Sequence, residues 1–278
     1  MEQWLNKIIL QIGDLYGVDI SKFENGFLLN SIEKRIISNK CTGYNNYSEL
    51  LLNDVNEAEA FFNSLNINYS EFFRNKLTFS YLEQVLLPGI ISQKLTRKEK
   101  ELRIWSAACS NGQEPYSLAI LCEELTFKLK DRLQYRIIAT DISEREINSA
   151  KSGVFTPLSM GNVSLNYLQK YFFSNGDNYQ VSSEIRERVD FSVFNLLEGD
   201  EYCPPVSIFG NFDIVMCCNI LFYYKQACRK TILNRLSRSF SKETYLITGE
   251  TERSFLKESD FREVASHTGI FRQSNIIT

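Results

Sequence analysis

The sequence predicts an α/β fold with a mostly parallel sheet, preceded by a small all-helical domain and interrupted by a small antiparallel β insertion. Three observations predict it. From residue 101, short apolar runs alternate with segments of helical period. Residues 1–75 carry helical periodicity alone, and turn signals at Asn175-Gly176 and Asp177-Asn178 break the later alternation.

The elements follow in order. Apolar positions recur at three and four in WLNKIILQIGDLYGV, FLLNSIEKRIISN, YSELLLN and EAEAFFNSLNI, with Gly43 and Asn45 marking a break, so residues 1–75 read as a helical domain. Residues 76–100 contain Pro88-Gly89 and the charged TRKEKE and read as a linker helix. The sheet domain, 101–278, holds the runs RIWSAA (103–108), YRIIATD (135–141), RVDFSVF (188–194), FDIVMCC (212–218) and TYLITG (244–249). A helix at SLNYLQKYF and the turn-bearing SNGDNYQVS place the antiparallel insertion at about 165–194.

Composition narrows the functions. Net charge is −3 with both signs interspersed, which speaks against a general nucleic-acid binder. No apolar run approaches the roughly 18 residues of a membrane span, so no membrane insertion is expected, and MEQWLNKIILQIG lacks the look of a signal peptide. Seven cysteines without a CxxC fit packed thiols in a reducing cytoplasm, and no metal site is expected. His267 is the one histidine of the chain, so chemistry that uses histidine as its base is disfavoured.

Ligands of open α/β sheets bind beyond the C-terminal ends of the strands. There the sequence puts Ser110, Asn111, Gly112, Gln113 and Glu114 after the first strand, Asp141 after the second, and Asn195 and Asn219 after later ones. Asp141 stands where a carboxylate takes ribose hydroxyls in nucleoside-binding sheets, and equally where it would cap the helix at ISEREI. Glu114 beside Pro115 is either helix-terminus electrostatics or a partner for a ligand ammonium. A carboxylate here would repel a pyrophosphate, and the turn has neither a full GxGxxG nor a lysine. The pattern therefore points to a nucleoside bearing an amino acid, the composition of S-adenosylmethionine.

The same residues carry a resemblance. RIWSAACSNGQEPYSLAI (103–120) resembles the signature of the CheR family of chemotaxis receptor methyltransferases, and NINYSEFFRN (66–75) resembles its Asn-x-Ser/Thr-x-Phe-Phe-Arg segment. ATDIS (139–143), VFNLL (193–197) and FDIVMCCNILFYY (212–224) follow in the family's order and spacing. The resemblance implies a Rossmann-like S-adenosylmethionine-dependent methyltransferase sheet that transfers methyl to chemoreceptor glutamates and leaves S-adenosylhomocysteine. It implies that Asn68, Ser70 and Arg74 close over the cofactor, that Glu114 in the Gly112 turn holds the methionyl amino group, and that Asp141 takes the ribose. Asn195 with Leu196, and Asn219 with Ile220, would frame the adenosyl and methionyl parts, while Arg74 and Tyr223 would serve the methyl-transfer site. For Arg74 the alternative is a surface ion pair, which the FFR context disfavours. The implied partners are chemoreceptor cytoplasmic helices and a receptor C-terminal tail, which places the protein in the cytoplasm.

Three features depart from the family pattern. Gln113 stands where a second glutamate is common, TGETE (248–252) replaces a Gly-His-Ser-Glu-like turn, and the second helix offers only Lys34, Arg35 and Lys40 as cations. Two other functions stay open at this stage: methylation of a different protein acceptor, and a non-catalytic module that binds S-adenosylmethionine.

Overall fold

The computed structural model describes residues 2–65, 69–127, 133–207, 210–257 and 259–274. The chain divides into two compact units, Met1–Ile67 with Phe222–Lys230, and Asn68–Leu221 with Thr231–Thr278.

The smaller unit is built from α1 (Glu2–Tyr16), α2 (Asn25–Ser38), α3 (Tyr44–Asn53) and α4 (Val55–Leu65). Each helix buries the stripe its sequence spacing marks: Leu5, Ile8 and Ile12 on α1, and Ala58, Phe61 and Leu65 on α4. Inside it, Glu57 is buried and receives a bidentate Arg35 guanidinium, with Nε at 2.8 Å, and the Tyr47 hydroxyl at 2.8 Å. A carboxylate taken out of water needs such partners. Arg35 is thus committed to the interior of this unit. Lys34 and Lys40 are exposed.

In the larger unit, α5 (Lys76–Tyr81), one π-helical turn (Leu82–Leu86) and α6 (Leu87–Thr96) run on without a break. Pro88 has no N–H to give, and the helix accommodates it directly after the π-helical turn. The sequence reads this stretch as a linker, but it is core: Phe79, Leu82, Leu86, Leu87 and Ile90 are buried against the sheet. The strands are β1 (Glu101–Ala107), β2 (Gln134–Asp141), β6 (Val189–Val193), β7 (Phe212–Cys217), β8 (Phe240–Thr248), β9 (Phe261–Glu263) and β10 (Ile270–Gln273), in the order β6-β2-β1-β7-β8-β10-β9. Pairing is parallel from β6 through β8 and antiparallel where β10 meets β8 and β9. Helices α7 (Gln113–Thr126), α8 (Glu144–Ser152) and α9 (Gln226–Ser237) lie between strands in the chain. The last two strands are three and four residues long, too short to show a period in the sequence.

The insertion differs from its expected span of about 165–194. It is a three-stranded antiparallel sheet of β3 (Val154–Phe155), β4 (Phe172–Asn175) and β5 (Asn178–Val181), in the order β3-β5-β4. Residues 189–193 belong instead to the main sheet as β6, where Phe191 registers with Ala139 of β2. The turn signals lie correctly between β4 and β5. The outer partner, β3, is two residues long and gives no pattern to read.

Candidate active site

The strand order reverses at β1: the chain builds outward through β2 and β6, then returns to lay β7 on the other side. A crevice beyond the C-terminal ends of β1 and β7 follows from that reversal. The loop from β1 into α7 enters it with Ala108 (φ 67°), Ser110 (φ 49°) and Gly112 (φ 94°) all left-handed. Two non-glycine residues in that region are costly, of order 1–3 kcal/mol each, and such strain collects at functional sites. Gly112 is required twice over. Its φ favours glycine, and a Cβ there would come within 2.9 Å of the Ala150 Cβ.

Asp141 ties the first two strand ends together. One carboxylate oxygen accepts the Ser110 N–H at 2.8 Å, and the other accepts the Ser143 N–H at 2.9 Å. The helix at ISEREI is capped by Ser143, whose hydroxyl accepts the Glu146 N–H, so the capping alternative for Asp141 falls away. Burial raises the Asp141 carboxyl, while the main-chain N–H groups of Ser143, Ser110 and Ile142 pull it down. An ionised carboxylate has about four acceptor positions, so these main-chain donors leave room for a further donor such as a ribose hydroxyl.

Glu114 sits in the first turn of α7 and takes a hydrogen bond from the Ser106 hydroxyl at 2.7 Å. The Cys218 thiol, just past β7, lies within reach of the same carboxylate and 3.7 Å from the Ile247 carbonyl. Desolvation pushes Glu114 up to about 7; Ser106, Cys218 and the Arg74 guanidinium oppose that rise, and the Glu252 carboxylate adds to it. A carboxylate so placed gains most from a cation brought to it.

Arg74 rides on a segment fixed by its neighbours. Phe72 is fully buried, with ring centroids 4.8 Å from Phe155 and 5.4 Å from Phe172. Phe73 stacks on Tyr167 at 5.6 Å and gives its N–H to Ser117 of α7 at 3.0 Å. Phe73 and Asn75 are both left-handed and hold Arg74 between them. Its Nη1 donates to the Tyr69 carbonyl at 3.2 Å, and the guanidinium lies 5.0 Å from the Tyr69 ring centroid. Among the described residues no carboxylate stands within ion-pair distance of it, so the surface-ion-pair reading finds no support. Ser70 is partly exposed on the same segment, and Asn68 lies outside the described residues.

The other expected residues are distributed less tightly. Asn219 is left-handed (φ 62°) and gives its N–H to Glu252 at 2.8 Å; Ile220 is partly exposed beside it. The Asn195 side chain accepts the N–H groups of Leu197 and Glu198 at 2.9 and 3.3 Å and so shapes its own turn, with Leu196 buried. Tyr223 falls in the smaller unit, its ring 4.9 Å from Phe27 and 4.1 Å from Phe222. Sequence reading missed Ser106, Cys218 and Glu252. TGETE departs from the family's turn, and nothing in its local spacing says which of its two glutamates turns inward.

The residues fit S-adenosylmethionine. Among the described residues, the buried side-chain oxygens Ser110 Oγ, Asn111 Oδ1 and Gln113 Oε1 have no protein partner; the first two stand on the β1–α7 loop and Gln113 opens α7. Buried polar atoms left that way mark a place for a polar ligand. Among the described residues no group of three or more His, Cys, Asp or Glu could hold a metal ion, and no helix is long and apolar enough to cross a membrane.

Comparison with known proteins agrees with this geometry. Residues 68–270 match the family described as "CheR methyltransferase, SAM binding domain". The chain is 36% identical over 193 residues to "Chemotaxis protein methyltransferase 1" of Pseudomonas aeruginosa, covering 68% of this chain and 67% of that protein. It is 27% identical over 252 residues to the "Chemotaxis protein methyltransferase" of Borreliella burgdorferi, covering 89% of this chain and 87% of that one. The protein of the same name from Escherichia coli is 28% identical over 242 residues, with 85% and 79% covered. With the matched domain spanning the strained β1–α7 loop, Asp141 and Glu114, the chain belongs to the CheR family of S-adenosylmethionine-dependent methyltransferases.

Proposed function

We propose that the enzyme methylates glutamate side chains of chemoreceptor cytoplasmic domains, giving glutamyl methyl esters and S-adenosylhomocysteine. The observation that carries the reading is the Glu114 carboxylate, largely withdrawn from water beside the Ser106 hydroxyl with the Arg74 cation acting on it. S-adenosylmethionine would supply a methyl group on a sulfonium, with the neutral thioether as leaving group. The acceptor, an ordinary glutamate with a pKa of about 4.3, is ionised at neutral pH and needs no base. The chain's work is therefore binding and alignment. Glu114 pairs with the methionyl ammonium, Asp141 takes the ribose diol, and the Asn195-Leu196 and Asn219-Ile220 turns bound the rest. The Arg74 fork orients the attacking carboxylate or the cofactor, with Ser70 and Asn68 on the same segment, and Tyr223 serves the acceptor side. A chain with one histidine is suited to this reaction.

The test is incubation with labelled S-adenosylmethionine and receptor cytoplasmic fragments. Base-labile carboxyl methyl esters are expected. Base-stable methylation would assign another acceptor, and binding without transfer would make the protein a non-catalytic module. On this reading Asp141→Ala weakens S-adenosylhomocysteine binding by about 1–3 kcal/mol, the size of a buried polar partner left unpaired. Calorimetry that finds unchanged affinity in the folded variant would remove Asp141 from the site.

The division of labour we infer is that the sheet domain holds the cofactor while the helical domain and the insertion choose the receptor. With Arg35 held by Glu57, the cations left for an acidic receptor helix are Lys34 on α2 and Lys40 in the turn just past its end, not on the helix as the sequence suggests. Replacing both with alanine is expected to slow receptor methylation at low salt and leave S-adenosylmethionine affinity unchanged. The difference from wild type should shrink as salt rises, because exposed charges are screened. A salt-independent loss would count against an electrostatic encounter. Strand β4, at one edge of the insertion, would accept an extended receptor tail by strand addition.

A further inference from the structure

A buried carboxylate outside the expected set governs the end of β7. Glu252, on the 3₁₀ turn after β8, is 0% exposed. Its Oε2 accepts the N–H groups of Gly249 at 2.7 Å and Asn219 at 2.8 Å, and its Oε1 accepts that of Leu221 at 2.6 Å. The Ile220 N–H faces the same carboxylate. An acceptor-only group is thus surrounded by main-chain donors, all from the ends of two adjacent parallel strands. Asn219 is left-handed, which a non-glycine residue adopts at a cost, and the carboxylate holds it there. Gly249 closes the other side: a Cβ on it would stand 2.5 Å from Asn219 Nδ2 and 2.8 Å from Glu252 Oε2. The two turns cannot move independently. Immediately before Asn219 comes Cys218, whose thiol donates to the Ile247 carbonyl of β8 at 3.7 Å and so ties the same two strand ends together.

We propose that Glu252 is a positioning residue for cofactor binding: its carboxylate sets the left-handed Asn219 turn at the end of β7, where the crevice opens. The proposal deepens the reading of this crevice as the S-adenosylmethionine site and rests on it. Glu252→Gln is the sharp test, because the amide keeps the volume but presents an N–H₂ to one of the main-chain donors. The control is Glu123→Gln. Glu123 is also buried in the larger unit, but it is bonded by Tyr135 at 2.9 Å, where β2 begins, at the other end of the sheet.

S-adenosylhomocysteine titrated into each variant by calorimetry, beside thermal unfolding, gives the two readouts. Glu252→Gln is expected to raise the Kd about tenfold or more, as for a broken charge-assisted network, and to raise the KM for S-adenosylmethionine more than it lowers kcat. Glu123→Gln is expected to lose stability and keep its Kd. Gly249→Ala, which presses on the same turn from the other side, is expected to raise the Kd as well and serves if Glu252→Gln does not fold. Wild-type affinity in Glu252→Gln, or in Gly249→Ala where only that variant folds, overturns the proposal alone. An equal loss of affinity in Glu123→Gln also overturns it, since the effect would then follow stability. A wild-type protein that does not bind S-adenosylhomocysteine overturns the cofactor reading and this proposal with it.

Discussion

Glu114→Gln is expected to weaken S-adenosylmethionine binding about tenfold to a hundredfold, the loss of one charge-assisted hydrogen bond in a partly desolvated site. The wild-type affinity should also depend on pH. Glu114 is pushed up to about 7, chiefly by desolvation, so below that value it must lose a proton before it can face an ammonium. Affinity is then expected to fall by up to about tenfold per pH unit as pH drops below 7, and to level off above it. The free protein shows the opposite sense. Its carboxyl holds a proton to higher pH than in the unfolded chain, where the ordinary value is 4.5, so its contribution to stability falls as pH rises from there to about 7. Glutamine at this position removes both dependences. Calorimetry with S-adenosylhomocysteine between pH 6 and 8 decides the matter, and a flat wild-type profile would take the ammonium away from Glu114.

For Arg74→Ala the expectation is a fall in kcat of about a hundredfold, the size of a misplaced reactant, with little change in thermal stability. The side chain is partly exposed and held by one carbonyl and one ring, so folding does not lean on it. Lysine should not restore turnover, because a point charge cannot reproduce the planar fork. A second readout separates this role from a structural one. Arg74 opposes the rise of Glu114, so its removal should move the pH profile of cofactor affinity to higher pH. Near-normal transfer by Arg74→Ala, with the pH profile unmoved, would reduce it to a surface residue.

Much of this site is legible in the sequence because it sits where strands stop. A parallel sheet announces its strands as apolar runs, and the polar residues that follow each run fall at one edge without any knowledge of the pairing. Glu114, Asp141, Asn195 and Asn219 stand out as candidates that way. What each strand-end residue touches is a different matter. Asp141 reads equally as a ribose ligand or a helix cap until Ser143 is seen doing the capping.

By itself the sequence determined the helical segments, the strands long enough to show a period, the turn between β4 and β5, and the motifs that point to a methyltransferase. The first three are local, resting on periods of two and 3.6 and on turn residues within one segment, while the motifs point to a methyltransferase through their resemblance to a family. Only the tertiary structure decided that Arg35 is spent on Glu57, 22 residues away, that residues 189–193 join the main sheet, and that Glu252 clasps Asn219, 33 residues away. The physical reason is that a buried carboxylate and an exposed one are the same letter. Which of them turns inward depends on whether distant main-chain N–H groups or a guanidinium converge to replace its water, and that convergence exists only once the strands are paired.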